Sequence, residues 1–274
     1  MHIPRLRQWA KEGLPYLRLA LLSSDYRHTE NELHRLARLR GRPHAATRLL
    51  GPMLEINHGP AFVGLYREIV ERGVYDFCAD TERPYIIDGG AHIGLATIAF
   101  KRRFPGAEID AFEPDPTICG MLRRNLHRFG FGDVQVHPAA LWTKTGVIPF
   151  LAEGVVSSRV PGGAERADCA VVAERLHDYL DRRVDFLKLD IEGAEVDVLA
   201  DCAGRLDNVQ ALFVEYHSWK DRPQRLAELF STLQVAGFRV TFEQELRLKR
   251  PFLDSAEDPY CDLLVNIYAR RDPR

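Results

Sequence analysis

The chain lacks any apolar run of about 18 residues, the length a helix needs to cross a bilayer. Its most apolar early stretch, Tyr16 to Leu22, is broken by Arg18, so neither a signal peptide nor a transmembrane helix is expected. Cysteine is scarce. Cys78, Cys119, Cys169, Cys202 and Cys261 are odd in number, widely spread, and show neither a CxxC pair nor zinc-ligand spacing, a pattern that suits reduced thiols in a cytoplasmic protein. An excess of charge is missing as well: 37 Lys and Arg against 39 Asp and Glu leave a net charge of -2. Nucleic-acid-binding domains usually carry a strong basic surplus, so a nucleic-acid partner is not expected. Internal repeats and low-complexity tracts are also lacking.

What is present is enough for one well-buried core. The chain has 274 residues, 46% of them hydrophobic, which fits one catalytic domain with an appendage. Charge is uneven along it: residues 1–50 hold ten Lys and Arg against four acidic residues. Two helical stretches are expected there, on either side of polar punctuation around Ser23 to Thr29. The second sets Leu33, Leu36 and Leu39 three apart beside Arg35, Arg38 and Arg40, a basic amphipathic helix. The division expected is a basic helical extension over 1–50 and a catalytic domain over 51–274, with the extension's helices as a candidate homodimer surface.

Beyond residue 50 the pattern alternates. A helix is read from Ala61 to Tyr75; then come strand Tyr85 to Ile87 ending at Asp88, the turn DGGAHIG, and a helix from Leu95 to Phe104. Strand 108–112, helix 118–129 and strand 134–137 follow. Residues 147–151 read as a short strand, with an edge hairpin in view, and 153–166 as a loop. Strand 185–189 ends at Asp190, helix 194–201 follows, and strand 211–214 ends at Glu215. Helix 222–236 precedes two closing strands, 238–242 and 263–268. Strands separated by helices imply a parallel sheet, and the last two imply an antiparallel closing pair.

In such sheets ligands bind at the carboxyl ends of the strands. Asp88 beside Gly89, Gly90 and Gly94 is the strongest local signal, because glycine lets the backbone pass close to a ligand. Glu113, 25 residues after Asp88, ends the next strand, where a carboxylate can accept both hydroxyl hydrogens of a ribose. A carboxylate at the glycine turn would repel a pyrophosphate and suits a cationic ligand without phosphate.

Five segments, YIIDGGAHIGLATIAF (85–100), DAFEPDP (110–116), VHPAALW (136–142), VDFLKLDIEGAEVDVL (184–199) and LFVEYH (212–217), occur in order and together resemble the FkbM family of class I S-adenosylmethionine-dependent methyltransferases. The resemblance spans about residues 62–268. It implies a Rossmann-like α/β fold: a mostly parallel seven-stranded sheet with a C-terminal antiparallel strand pair, here with an N-terminal helical extension. It implies S-adenosylmethionine as cofactor, held by Asp88, Gly89, Gly90, His92, Gly94, Glu113, Pro114, Ala140 and Asp190. His92 stands where an Asn is usual. It further implies a hydroxyl acceptor on a small molecule, sugar or natural product, with N-methylation as the alternative.

Asp190 and His217 are the candidate general bases for an alcohol acceptor, with Glu192 beside them. Ser157, Ser158, Arg159 and Glu215 are the candidate acceptor contacts. Asp190, Glu192, Glu215 and His217 also form a set that could hold a divalent cation, but their spacing is not diagnostic and a metal-free site is the reading preferred. A nicotinamide-binding oxidoreductase and a cofactor-binding scaffold are the rival functions.

Overall fold

The computed structural model describes residues 24–39, 45–152, 167–245, 250, 252–253 and 261–271. The first helical stretch expected in the extension, and Ser157, Ser158 and Arg159, lie outside the described residues. The chain forms two compact units, Met1–Leu65 and Tyr66–Arg274; the boundary read from the sequence at 50/51 falls inside the first.

In the first unit, helix α1 (Ser24–Ala37) buries Leu33 and Leu36 and exposes Arg35 and Arg38, the amphipathic pattern its sequence encodes. Arg35 pairs with Glu32 at 2.7 Å and also donates to the carbonyl of Ala46. Ala46 belongs to a small antiparallel pair, β1 (Ala45–Thr47) and β2 (Leu54–Ile56). Helix α2 (Gly59–Tyr66) follows and widens into a π-helical turn, Arg67–Arg72, which the left-handed Gly73 terminates.

The second unit continues with β3 (Tyr85–Gly89), α3 (Leu95–Arg103), β4 (Glu108–Phe112), α4 (Pro116–Arg128), β5 (Gln135–His137), β6 (Ala139–Trp142), β7 (Gly146–Phe150) and β8 (Cys169–Arg175). It closes with β9 (Val184–Leu189), α5 (Glu195–Asp201), β10 (Val209–Trp219), α6 (Leu226–Val235), β11 (Arg239–Gln244) and β12 (Cys261–Arg270). Seven of these strands form one sheet in the order β11-β12-β10-β9-β3-β4-β5. β3, β4, β5, β9 and β10 pair in parallel, while β12 runs antiparallel to both β10 and β11. This is the Rossmann-like, mostly parallel seven-stranded sheet with an antiparallel closing pair.

Every residue of β3 and β9 is buried, as expected of central parallel strands covered on both faces. β11, at the sheet edge, is mostly exposed. Helix α4 starts at Asp115, whose Oδ1 accepts from the N–H groups of Thr117 and Ile118, with Pro116 in the first turn. That combination of a carboxylate cap and an early proline is a strong helix start.

Two strand readings change. The strand read at 147–151 is β7, but its hairpin partner is β8, which the sequence did not reveal. With β6 they make a separate three-stranded sheet, β6-β8-β7. β8 alternates weakly between buried and exposed residues, and Val172 is half-exposed, so its hydrophobic signal is diluted. The second change concerns Glu215, which does not end its strand: β10 continues to Trp219. Its parallel pairing with β9 stops at Val214, whereas its antiparallel pairing with β12 continues through Glu215 opposite Asn266 to Trp219. Residues 215–219 are therefore strand on one side and open to the β9–α5 loop on the other. No helix among the described residues is long and apolar enough to cross a membrane.

Candidate functional site

Strand order reverses at β3: the chain proceeds from β3 through β4 to β5 in one direction, then returns to β9 and β10 on the other side. The carboxyl ends of these parallel strands share one edge of the sheet, where a ligand crevice is expected.

The glycine turn after β3 is pinned from both sides. The N–H groups of Gly90 and Ala91 donate to the carbonyl of Phe112 at the end of β4, and the Asp190 N–H donates to the carbonyl of Gly89. Gly90 has φ +77, and a Cβ there would lie 1.8 Å from the Asp190 carbonyl oxygen. Only glycine fits so close a crossing of two loops. Gly89 is buried against Leu141 of β6, which brings the Ala139–Leu141 segment, including the buried Ala140, against the turn. Gly94 (φ +94) precedes α3 and faces Leu122.

Asp88 lies behind the turn. Its side chain is 0% exposed, accepts from Thr97 Oγ1 at 2.6 Å, and sits 3.5 Å from Lys188 Nζ. A carboxylate enclosed in this way holds the turn from beneath. Glu113, just after β4, is buried as well: its Oε2 accepts the N–H of His92 at 3.0 Å and its Oε1 the N–H of Asp115 at 2.8 Å. His92 adopts φ 50 to make that bond, and Pro114, half-buried, follows Glu113 directly.

Burial pushes the Glu113 carboxyl up to about 8, against the two backbone N–H bonds that favour the carboxylate. An acid whose folded pKa lies above its unfolded value of 4.5 contributes stability below that value and loses it as pH rises through about 8. The fall in melting temperature between pH 5 and pH 8.5 is therefore expected to be smaller in Glu113→Gln, which has no such proton to lose. Thermal melts across that range check it, and an equal fall in both proteins contradicts it.

On the other side of the turn a charged cluster was largely hidden from the sequence. Lys188, buried in β9, donates to the carbonyls of Gly89 and Gly90 at 3.1 and 2.9 Å and to Asp190 Oδ2 at 3.3 Å. Burial would lower its pKa, but Asp190, Asp88 and Glu215 outweigh that and hold it above the usual lysine value. Glu195, at the start of α5, is 0% exposed, and its Oε1 accepts the N–H groups of Ile191 and Gly193. The same oxygen lies 3.2 Å from His217 Nδ1. His217 Nε2 lies 3.4 Å from Glu192 Oε2.

Burial opposes a charge on His217, but Glu192, Glu195 and Glu215 raise its pKa well above the ordinary histidine value. Burial and the Asp190 charge push the Glu215 carboxyl well up. Glu68, on the π-helical turn, is likewise raised by burial, by Glu245 and by Asp190. The Tyr75 ring lies 5.9 Å beneath Lys188 Nζ. Asp190, Glu192 and His217 each offer one ligand atom, all within 4.8 Å of one another.

Lys188 and Glu195 carried a signal that could have found them, since a lone charge inside an otherwise apolar central strand, or in the first buried turn of a helix, must have partners. Glu68, Tyr75 and Glu245 had none, because only the fold brings them to this edge.

The family model described as the methyltransferase FkbM domain matches residues 88–240, more than half of the chain. Methyltransferase sdnD of Sordaria araneosa is 32% identical over 174 residues, covering 49% of this chain and 66% of that protein. Methyltransferase 1 of Beauveria bassiana is 27% identical over 165 residues, covering 49% of this chain and 65% of its own. The chain thus spans just under two thirds of the length of these curated relatives. A solved structure of methyltransferase FkbM from Methylobacillus flagellatus superposes with a TM-score of 0.48 at 17% identity, covering 70% of this chain and 45% of that one. The chain belongs to the FkbM family of methyltransferase domains.

Proposed function

We propose that this protein is an S-adenosylmethionine-dependent methyltransferase that acts on a hydroxyl oxygen of a small-molecule, sugar or natural-product acceptor. The observation that carries the reading is the placement of Glu113 and Asp190 on either side of one glycine turn, at the edge where the strand order reverses. The donor set fits the cofactor: a buried carboxyl group for ribose hydroxyls, further acidic side chains where a sulfonium and an ammonium would lie, and a crowded turn ill suited to pyrophosphate. When bound, the cofactor supplies an activated methyl group on sulfur.

The rest is done by this chain's residues. Glu113 accepts from the ribose; Gly89, Gly90, His92, Gly94, Pro114 and Ala140 shape the adenosyl side; Asp88 holds the turn from below. Holding acceptor and methyl in line is worth about 7 to 11 kcal/mol of barrier. Of the two groups nominated to take the acceptor proton, Asp190 suits the role better, because the carboxylates around His217 keep its imidazole protonated. Glu192 and Glu215 line the acceptor side. N-methylation is the second reading, favoured by the surplus of carboxylates there, which would draw in an amine. A nicotinamide oxidoreductase gains no support from a sheet whose last strand is reversed.

The test is to incubate the protein with S-adenosylmethionine carrying a carbon-13 methyl group and matched panels of alcohols and amines. Label recovered at the chemical shift of a methyl ether is expected. Label only on nitrogen moves the assignment to the second reading, and consumption of NAD with no methylated product sinks both.

A further inference from the structure

The geometry points to a divalent-cation site formed by Asp190, Glu192 and His217. Two of these residues come from the loop after β9 and one from the far end of β10, so the folded chain alone brings them together. Their ligand atoms lie within 4.8 Å of one another, and His217 Nε2 is 3.4 Å from Glu192 Oε2. Adjacent donors on a six-coordinate ion with bonds of about 2.1 Å sit roughly 3 Å apart, so small side-chain adjustments close the set around one ion.

The imidazole is already oriented for this role. Its Nδ1 faces Glu195 Oε1 at 3.2 Å and the Glu215 carbonyl at 3.1 Å, which leaves Nε2 towards Glu192. A carboxylate behind the ring is how proteins fix the tautomer of a metal-ligating histidine. Glu195 adds an independent observation: it is fully buried, and its second oxygen, Oε2, meets no hydrogen-bond partner. A buried carboxylate satisfied on one side only, packed against the cluster's own imidazole, favours positive charge there, which the proton on His217 supplies in the free protein and a cation displacing that proton from Nε2 supplies when bound. The loop has little room to relax, because Glu192 holds φ 56 and a Cβ on Gly193 would meet the Trp219 ring at 2.3 Å.

One nitrogen and two carboxylates suit Mn²⁺, Fe²⁺ or Zn²⁺ better than Mg²⁺ or Ca²⁺, which favour oxygen alone. The spacing of these residues is not diagnostic, and the sequence alone leaves a metal-free site preferred; the Glu195–His217 contact, invisible in one dimension, reverses that preference. The site shares Asp190, Glu192 and His217 with the methyl-transfer reading, but its occupancy is measured with no adenosyl ligand present, so the two can fail separately.

Full-length protein stripped with EDTA is titrated with MnCl₂, and free Mn²⁺ is followed by electron paramagnetic resonance. One saturable Mn²⁺ per chain, displaced by Zn²⁺, is expected. Glu192→Gln, a conservative change at a partly exposed residue, should weaken it at least ~10-fold, and Glu195→Gln by about 10- to 100-fold. Thermal melts supply the second readout: Mn²⁺ should raise the melting temperature of the wild type and leave that of Glu192→Gln unmoved. Absence of saturable binding, or binding undiminished in Glu192→Gln, overturns the site.

Discussion

Lys188→Met is expected to lower folding stability by about 3–5 kcal/mol, the loss typical of removing one partner from a buried ion pair. The ammonium lies within 3.5 Å of Asp88, 3.3 Å of Asp190, and about hydrogen-bond distance from two carbonyls of the glycine turn. Methionine fills much of the same volume, so the loss is electrostatic rather than one of packing. Asp88 would keep only its bond from Thr97, in a position with no access to water. A lysine whose folded pKa is raised contributes its stability below the unfolded value of 10.5 and loses it only in strong alkali. The whole effect is therefore present at neutral pH. Urea unfolding measures it, and the double variant Lys188→Met with Asp88→Asn should recover part of the loss, because the stranded charge is gone. A loss below about 1 kcal/mol, the scale of an exposed pair, would show that the cluster is solvated and the account of it wrong.

Gly90→Ala is expected to abolish adenosyl-ligand binding by at least about 100-fold while leaving most of the sheet folded. Two effects act together. The left-handed backbone costs an L-residue about 1–2 kcal/mol, and the new methyl would press on the Asp190 carbonyl at 1.8 Å, forcing apart the two loops that carry the site. Gly130 separates the two effects. It has nearly the same φ, +78, but no atom within 4 Å of a Cβ, so Gly130→Ala should pay the backbone cost alone and bind normally. Circular dichroism and ligand titration of both variants make the comparison. Equal loss of binding in the two would mean that the close approach of the loops does not matter.

The sequence made the central sheet legible where the physics is one-dimensional. β3 and β9 are short, mostly apolar runs, and a strand buried on both faces has to read that way. The glycine turn, Glu113 and Asp190 were legible because they sit at fixed places relative to those runs. β8 was not, since a half-exposed strand in a small side sheet alternates too weakly to stand out. The end of β10 was misplaced because its length is set by β12, some fifty residues away in the chain. Asp88 showed its position but not its direction: it faces Thr97 and Lys188 rather than open space. The Glu195–His217–Glu192 contacts depend on side-chain direction across two elements, information that residue spacing does not contain.

The most direct test of the account is calorimetric titration of the purified protein with S-adenosylhomocysteine, S-adenosylmethionine and NAD, repeated on Glu113→Ala. Saturable binding of both adenosyl ligands, lost in the variant while its melting curve stays cooperative, is the predicted result. Binding of NAD alone, or adenosyl binding that survives the loss of the Glu113 carboxylate, would contradict it.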